Sequence, residues 1–439
     1  MRFTTAEISD ITGGILAGKE ATIDGATQDS RSVQPGQLFI PLVAERDGHD
    51  FIEDAVRAGA GAFISHRDIE ASGDNRPSIR VENTAQALRQ LGAAARAKIA
   101  GPVVAITGSV GKTSTKDLLA GAVSRAFQTH SSAKSFNNEI GVPLTLLNAP
   151  DTTELGIIEM GARGVSHVAH LCDITSPTIG IITTVVGAHT GEFGSVENIA
   201  VGKGELVEAL PENGLAVLNG DNPLVRTMES RTKAPVLNFG HGLDNDVRIE
   251  SVELDSELGP TFTLVSDWGR IVARPPTRGA HMATNTAAAA ATALWLGVSI
   301  EAIEEGFTEV QVSPWRMDVQ RAASGALIIN DSYNANPASM RGAIDSLGRL
   351  ENSRKVAVLG YMGELGDDEI EHHLEIAEEV RLIGAELITV GTELYGVETL
   401  DEPDDVVDVI GSLTPDTAVL VKGSRSAGLE TLAEALLSR

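Results

Sequence analysis

The stretch Ile106 to Thr115, ITGSVGKTST, gathers two glycines, a lysine and a run of hydroxyls in one short span. Glycines let backbone amides approach phosphate oxygens, a lysine reaches the outer phosphates, and a following Thr or Ser hydroxyl suits a magnesium ion. The usual phosphate loop carries a glycine where Ile106 stands here, with Gly108 closer in, so the pattern is a shortened one. The candidate cradle is Gly108, Ser109, Val110, Gly111, Lys112, Thr113 and Ser114. The competing reading is an ordinary glycine turn with a capping Thr and a surface Lys. Local context favours phosphate, because an apolar run, VVAIT, precedes the loop and a helix-compatible segment, TKDLLAGAVSRAF, follows it.

Two more stretches carry chemistry-bearing types. Glu159 in IIEMGAR ends a second apolar run, where a carboxylate can face a nucleotide and complete an oxygen shell around magnesium. Alone it reads as a solvent-facing acid; beside a phosphate loop the ligand reading is the better one. In TTVVGAHTGEFGSVENIAVGKGEL, His189 follows a third apolar run and Lys203 lies in the next helical stretch, so both can approach the same crevice. A metal or phosphate role for His189 and a purely structural one both remain open on position alone.

The elements that must position these groups follow from the apolar pattern. VVAIT (103–107), LGIIEM (155–160), IGIITTV (179–185) and LAVLN (215–219) alternate with helical stretches, which predicts a parallel sheet covered on both faces. A hairpin-like region at 246–275 and the alanine-rich run Met282 to Ile300 follow. That run holds Thr284, Asn285 and Thr286 and reads as a buried helix, not a membrane span. The first hundred residues read as a small α/β unit, with QLFIPLV (37–43) as a strand, FIEDAVRAGAGAFI (51–64) as helix then strand, and a helix at 84–100 ending at Gly101-Pro102. After QVSPWRMD, the runs ALIIN (326–330), VAVLG (356–360), LITVG (387–391) and AVLVKG (418–423) predict a Rossmann-like unit with ligands at the carboxyl ends of its strands. The expected fold class is α/β in three domains: a small N-terminal α/β domain (1–98), a central P-loop ATPase-like parallel sheet with helices (99–312) and a C-terminal Rossmann-like domain (313–439).

Composition narrows the function class. The chain has 439 residues, 42% of them hydrophobic and 22% charged, the balance of a globular protein. Its formal charge of −27 argues against a general nucleic-acid binder, which needs a basic surface. One cysteine, Cys172, leaves no internal disulfide and no Cys-based zinc site, which fits a reducing compartment. The opening residues MRFTTAEISDITGG lack the pattern of a signal peptide, so a cytoplasmic location is expected.

Taken in order, TGSVGKTS, SFNNEIGVPLTLL, EMGA, AH followed by FGS and IAVGKGE, DSYNANPAS and VKGSR resemble the Mur ligases of peptidoglycan assembly. DSRSVQPGQLFIPL and DGHDFI resemble the family's nucleotide-sugar domain, so the likeness runs nearly end to end. DSYNANP and SFNNEIG resemble the dipeptide-adding branch. The resemblance implies ATP-driven joining of D-alanyl-D-alanine to UDP-N-acetylmuramoyl-tripeptide by a monomeric enzyme with two magnesium ions.

By the same resemblance Lys112 contacts phosphate, while Thr113 and Glu159 hold the first magnesium. Lys203, as a carbamate, and His189 help hold the second. Asn137 and Asn138 stand near the transferred phosphate, Asn138 on the catalytic side and Asn137 toward the substrate. Asn285, Arg316 and Asp331 match adenosine positions. Asn334, Asn336, Lys422, Ser424 and Arg425 match positions near the incoming dipeptide, and Ser30 matches the nucleotide-sugar side. Tyr361 and Gly363 stand where this group commonly has Asp and a bulkier apolar residue, and GAHMATN is looser than the usual adenine-side segment. The rivals are a relative with the same core and another substrate, either a folylpolyglutamate synthase or a Mur ligase adding a single amino acid, and a P-loop nucleotide switch. The third residue of the tripeptide, lysine or a diamino acid, is open.

Overall fold

The computed structural model describes residues 1–67, 76–132, 135–187 and 190–439, and the chain is α/β, built on three main sheets of mostly parallel strands with helices packed against them. The largest sheet has nine strands, in the order Gly269–Ala273, Pro260–Ser266, Val247–Leu254, Val236–Gly240, Leu215–Asn219, Ile179–Ile182, Val103–Thr107, Leu155–Glu159 and Thr129–Ser131. Neighbours run parallel from Val247–Leu254 to Thr129–Ser131, and the first two strands add an antiparallel meander.

The unbroken apolar run VVAIT has a simple cause. Val104 and Ile106 pack with Leu118, Leu119 and the alanine-rich helix Met282–Trp295 on one face. Val103 and Ala105 pack with Leu88, Leu91 and Val142 on the other. Both faces are covered, so no residue in the strand is free to be polar until its end. Small side chains from Ala287 to Ala291 are all buried, which lets that helix lie close on the sheet and on helix Lys112–Val123. Strand Val103–Thr107 also sits where the order reverses, between Ile179–Ile182 on one side and Leu155–Glu159 on the other. The crevice beyond its carboxyl end is therefore the place an open α/β sheet binds ligands.

Six strands form the C-terminal sheet, ordered Asp318–Arg321, Leu327–Asn330, Thr417–Lys422, Arg354–Leu359, Glu386–Val390 and Thr399–Leu400, with only the first antiparallel. Near the N-terminus five strands run Ile15–Ala17, Ser78–Arg80, Ala62–Ser65, Leu38–Phe39 and Ala26–Thr27. The strand expected over 37–43 is only Leu38–Phe39. Ile40 still donates to Thr27 O, but Pro41 has no amide, and Leu42 O is taken by the Gly48 amide as the chain turns away. The run 179–185 likewise ends as strand at Ile182; the Thr183 amide still donates to Thr107 O, and its hydroxyl to Val110 O.

Helix Thr84–Lys98 joins the N-terminal sheet to the central one. Ala87, Leu88, Leu91 and Ala95 belong to a single core that also holds Phe3, Ile23 and Ile64 from one side and Val142, Leu171 and Ile174 from the other. Polar ties reinforce it: Asn148 donates to Ala26 O and accepts from Ala26 N, and Arg96 donates to Thr175 O and Ser176 O. The C-terminal sheet has its own cores on its two faces, one of which takes in Leu258 at the tip of the central meander.

Candidate active site

At Gly111 the backbone turns left-handed, with φ 85°, and helix Lys112–Val123 begins at the next residue. A glycine is required there twice over, since an added Cβ would also stand 2.4 Å from Asn285 Oδ1. The loop before it is strapped to the end of the neighbouring strand. The Ser109 amide donates to Thr184 O at 2.8 Å, Ser109 Oγ donates to Val186 O at 3.0 Å, and Thr183 Oγ1 donates to Val110 O at 2.6 Å. These bonds hold the loop open toward the cleft, with the helix N-terminus aimed into it.

Lys112 curls back onto the loop, Nζ donating to Gly108 O at 2.8 Å. Burial pulls its pKa below the ordinary lysine value, with Arg316 acting the same way and Glu159 and Glu364 opposing. Thr113, the second residue of that helix, donates from Oγ1 to Glu159 Oε2 at 2.8 Å. Asn137 Nδ2 donates to Glu159 Oε1, also at 2.8 Å. Strand register explains the meeting, because Glu159 lies beside Ile106 at the carboxyl end of the adjacent parallel strand. Asn138 is engaged locally, its Oδ1 accepting from the Ile140 and Gly141 amides at the start of helix Gly141–Leu147.

Lys203 sits on helix Val196–Glu208 and is 1% exposed. Burial drives its pKa well below the usual lysine value, and the Lys112 charge pushes the same way. Its Nζ lies 6.0 Å from the Phe193 ring centroid. His189 lies outside the described residues.

From the C-terminal side, Arg316 stacks on Tyr333 at 4.2 Å, and its buried Nε has no hydrogen-bond partner among the described residues. Lys422 donates to Asp331 Oδ2 at 2.5 Å and to Asn334 O at 2.9 Å, while Asp331 Oδ1 accepts from the Met317 amide. Asn336 caps helix Pro337–Arg349 in a reciprocal box with Ser339. Arg425 stacks on Trp315 and pairs with Glu430. Ser424 Oγ lies 3.0 Å from Ser426 Oγ.

One cleft of about 1160 Å³ between the central and C-terminal sheets is lined by Ser109 to Ser114, Asn137, Asn138, Glu159, Lys203, Asn285, Arg316, Asp331, Asn334, Asn336, Lys422, Ser424 and Arg425. Gly108 stands immediately before that lining, its carbonyl on Lys112. Ser30 opens a short 3-10 turn, Ser30–Ser32, on the N-terminal unit and is not part of the lining. The wall residues that sequence reasoning did not single out include Arg89, His281 and Glu364. Arg89 arrives because helix Thr84–Lys98 packs on the central sheet. Burial lowers the pKa of His281, with the Lys422 charge acting the same way and Asp331 and Asp345 opposing. Its place just before Asn285 in GAHMATN was the only sequence signal.

Comparison with known proteins agrees with this geometry. Three family descriptions match in order: Mur ligase family, catalytic domain, over 22–96; Mur ligase middle domain over 106–293; and Mur ligase, glutamate ligase domain over 315–425. The chain is 33% identical to the UDP-N-acetylmuramoyl-tripeptide–D-alanyl-D-alanine ligase of Escherichia coli strain K12, over 99% of this chain and 98% of that one. It superimposes on the crystal structure of MurF from Acinetobacter baumannii with TM-score 0.89 and 29% identity, covering 100% and 99% of the two chains. The MurF ligase of Thermotoga maritima in complex with ADP gives TM-score 0.81 and 27% identity over 94% and 96%. A shortened phosphate loop facing a second sheet across one cleft, in a chain that matches such relatives from end to end, belongs to the Mur ligase family.

Proposed function

We propose that this chain is the ligase that joins D-alanyl-D-alanine to UDP-N-acetylmuramoyl-tripeptide, using ATP and passing through an acyl phosphate, in the cytoplasmic stage of peptidoglycan synthesis. The observation that carries the reading is the meeting of Lys112, Thr113, Glu159 and Asn137 on one wall with Arg316, Asp331 and Lys422 on the other. The full-length identity to a relative of that name supports the substrate pair.

The chemistry sets the requirements. A carboxylate is a poor acyl donor because oxide would have to leave, so transfer of the γ-phosphoryl group to it creates a workable leaving group. Donor carboxylate and triphosphate repel, and phosphoryl transfer is catalysed mainly by positioning and charge stabilisation. Lys112 and the loop amides meet the phosphates, Asn285 and Arg316 hold the adenosine side, and Asp331, fixed by Lys422, sets that wall. Asn137 and Asn138 stand at the phosphoryl acceptor side. Asn334, Asn336, Lys422, Ser424 and Arg425 border the dipeptide space, and Ser30 belongs to the nucleotide-sugar end.

The donor set fits hard cations. The Thr113 hydroxyl and Glu159 carboxylate are oxygen ligands already 2.8 Å apart and suit one magnesium. Lys203, held toward its neutral form, can add carbon dioxide to become an anionic oxygen ligand, and with His189 it would hold a second. Magnesium, when bound, offsets phosphate charge that Lys112 alone cannot cover. Water must stay out while the dipeptide amine attacks, which is the task of the C-terminal wall. A monomer carries every one of these groups.

The test is ADP release with magnesium-ATP and UDP-N-acetylmuramoyl-tripeptide, with and without D-alanyl-D-alanine, and product mass read in parallel. Dipeptide-dependent release with the matching mass gain is expected. Release with a single amino acid or with a folate acceptor would move the chain to a neighbouring branch, and release that ignores both acceptors would make it a nucleotide switch.

A further inference from the structure

Asp117 belongs to the helix that begins at the phosphate loop, one turn beyond Thr113 on the same face, so about 6 Å of rigid helix separates the two. It does not line the cleft itself. It is a buried carboxylate with both oxygens engaged. Oδ1 pairs with Lys116 Nζ at 3.1 Å, both side chains being less than a tenth exposed, and Oδ2 accepts from the Ser313 amide at 2.8 Å. A buried ion pair adds little stability over an apolar pair of the same size, so stability alone does not account for it. Ser313 shows what else Asp117 does, because it lies in the segment that runs from helix Ile300–Thr308 to strand Asp318–Arg321 of the C-terminal sheet.

That segment carries Arg316 into the cleft, and it is gripped on both sides. Upstream, helix Ile300–Thr308 lies backbone to backbone on helix Lys112–Val123, since a Cβ on Gly306 would stand 2.3 Å from Gly121 O. Phe307 and Val310 share a core there with Leu118 and Leu119, and Asp117 then takes the Ser313 amide. Downstream, Trp315 O accepts from the Tyr333 amide at 3.2 Å, and the Met317 amide donates to Asp331 Oδ1 at 2.9 Å. Trp315 and Met317, on either side of Arg316, both turn left-handed, with φ 60° and 51°. Side chains of that size adopt the conformation at a cost, and it persists only where surrounding contacts impose it. Arg316 is thereby held on the cleft wall, its guanidinium over the Tyr333 ring. Resting on the ligase reading above, in which Arg316 holds the adenosine side, we propose that Asp117 is a positioning residue. By anchoring Ser313 it places Arg316 relative to the phosphate loop, so that one helix sets where both ends of the nucleotide are held.

Affinity for magnesium-ADP, read by titration calorimetry, tests the anchor without turnover. Dipeptide-dependent ADP release by wild type tests the ligase reading separately, and its absence would refute that reading while the affinities still decide the anchor. Asp117→Ala should weaken magnesium-ADP roughly ten-fold, the worth of one hydrogen bond from a charged group. Asp117→Asn keeps an acceptor for the Ser313 amide, gives up the charge beside Lys116, and should stay within about three-fold of wild type. Arg316→Ala should weaken binding about as much as Asp117→Ala does. Adding Asp117→Ala to it should then cost nothing more, because no guanidinium is left to place, whereas a merely structural Asp117 would go on costing affinity in that background. Melting curves check the fold. Where Asp117→Ala does not fold, Ser313→Pro removes the donor, keeps the Asp117–Lys116 pair and should show the same loss. Unchanged affinity in a folded Asp117→Ala or Ser313→Pro, an undiminished further loss on top of Arg316→Ala, or Asp117→Asn as weak as Asp117→Ala would overturn the proposal.

Discussion

Replacing Gly111 with alanine tests the phosphate cradle most directly, and Gly36 supplies its control. Both residues are left-handed, Gly111 at φ 85° and Gly36 at φ 87°. A Cβ at Gly36 meets nothing within 4 Å, whereas at Gly111 it would stand 2.4 Å from Asn285 Oδ1 and 3.3 Å from Asn285 Cγ. The conformational penalty is common to both, about 1–2 kcal/mol. Only Gly111→Ala must also push Asn285 off its rotamer, adding about 0.5–1.5 kcal/mol. Thermal melting with and without magnesium-ATP reads both effects. Gly36→Ala should melt lower and keep the full nucleotide-induced rise. Gly111→Ala should melt lower still and lose most of that rise if the displaced amide and Asn285, which both line the cleft, border the nucleotide as proposed. Without nucleotide, adding Asn285→Ala should shrink the cost of Gly111→Ala to that of Gly36→Ala, since the obstructing atoms are gone. A Gly111→Ala protein whose nucleotide-induced rise matches wild type would refute the placement of the phosphates.

Three further outcomes are expected. Lys203→Ala should lose most activity, and a small added carboxylate should restore part of it by standing in for the carbamate; steady-state ADP release checks this, and no rescue would count against the carbamate. Asn336→Ala removes a reciprocal cap and should cost about 1 kcal/mol of stability. Asn336→Asp keeps the cap, so a raised KM for the dipeptide in that variant alone would separate substrate contact from capping. Burial lowers the pKa of His130 and of His373, so below about pH 6.5 the unfolded chain binds protons that the native state refuses. Stability should therefore fall as pH drops from about 7 toward 5, and His373→Gln should flatten that slope in melting curves.

The parallel strands were legible because residues buried on both faces have no polar option, as at VVAIT. The loop was legible because its chemistry is local: Gly111, Lys112 and Thr113 act within one turn of chain. Lys203 was legible from its place in the helix after the third strand, but its burial was not, since nothing in IAVGKGE says that the lysine points inward. Arg89 and Glu364 escaped notice for a different reason. Each reaches the cleft through the docking of a whole helix or lobe, and no short-range pattern encodes that. Asn336 shows the converse, a residue noticed for substrate contact whose side chain is occupied in ending a loop and starting a helix.

The core shared by Phe3, Leu91 and Val142 also works as a measuring device. With the N-terminal sheet locked to the central one through helix Thr84–Lys98, the span from the N-terminal unit to Lys112 is constant. On the function proposed above, a donor gripped at its nucleotide end would be gauged against that fixed length, so that a peptide of the right number of residues brings its carboxyl to the phosphate. Selection by chain length would then come from the rigidity of a hydrophobic joint, before any side chain of the peptide is read.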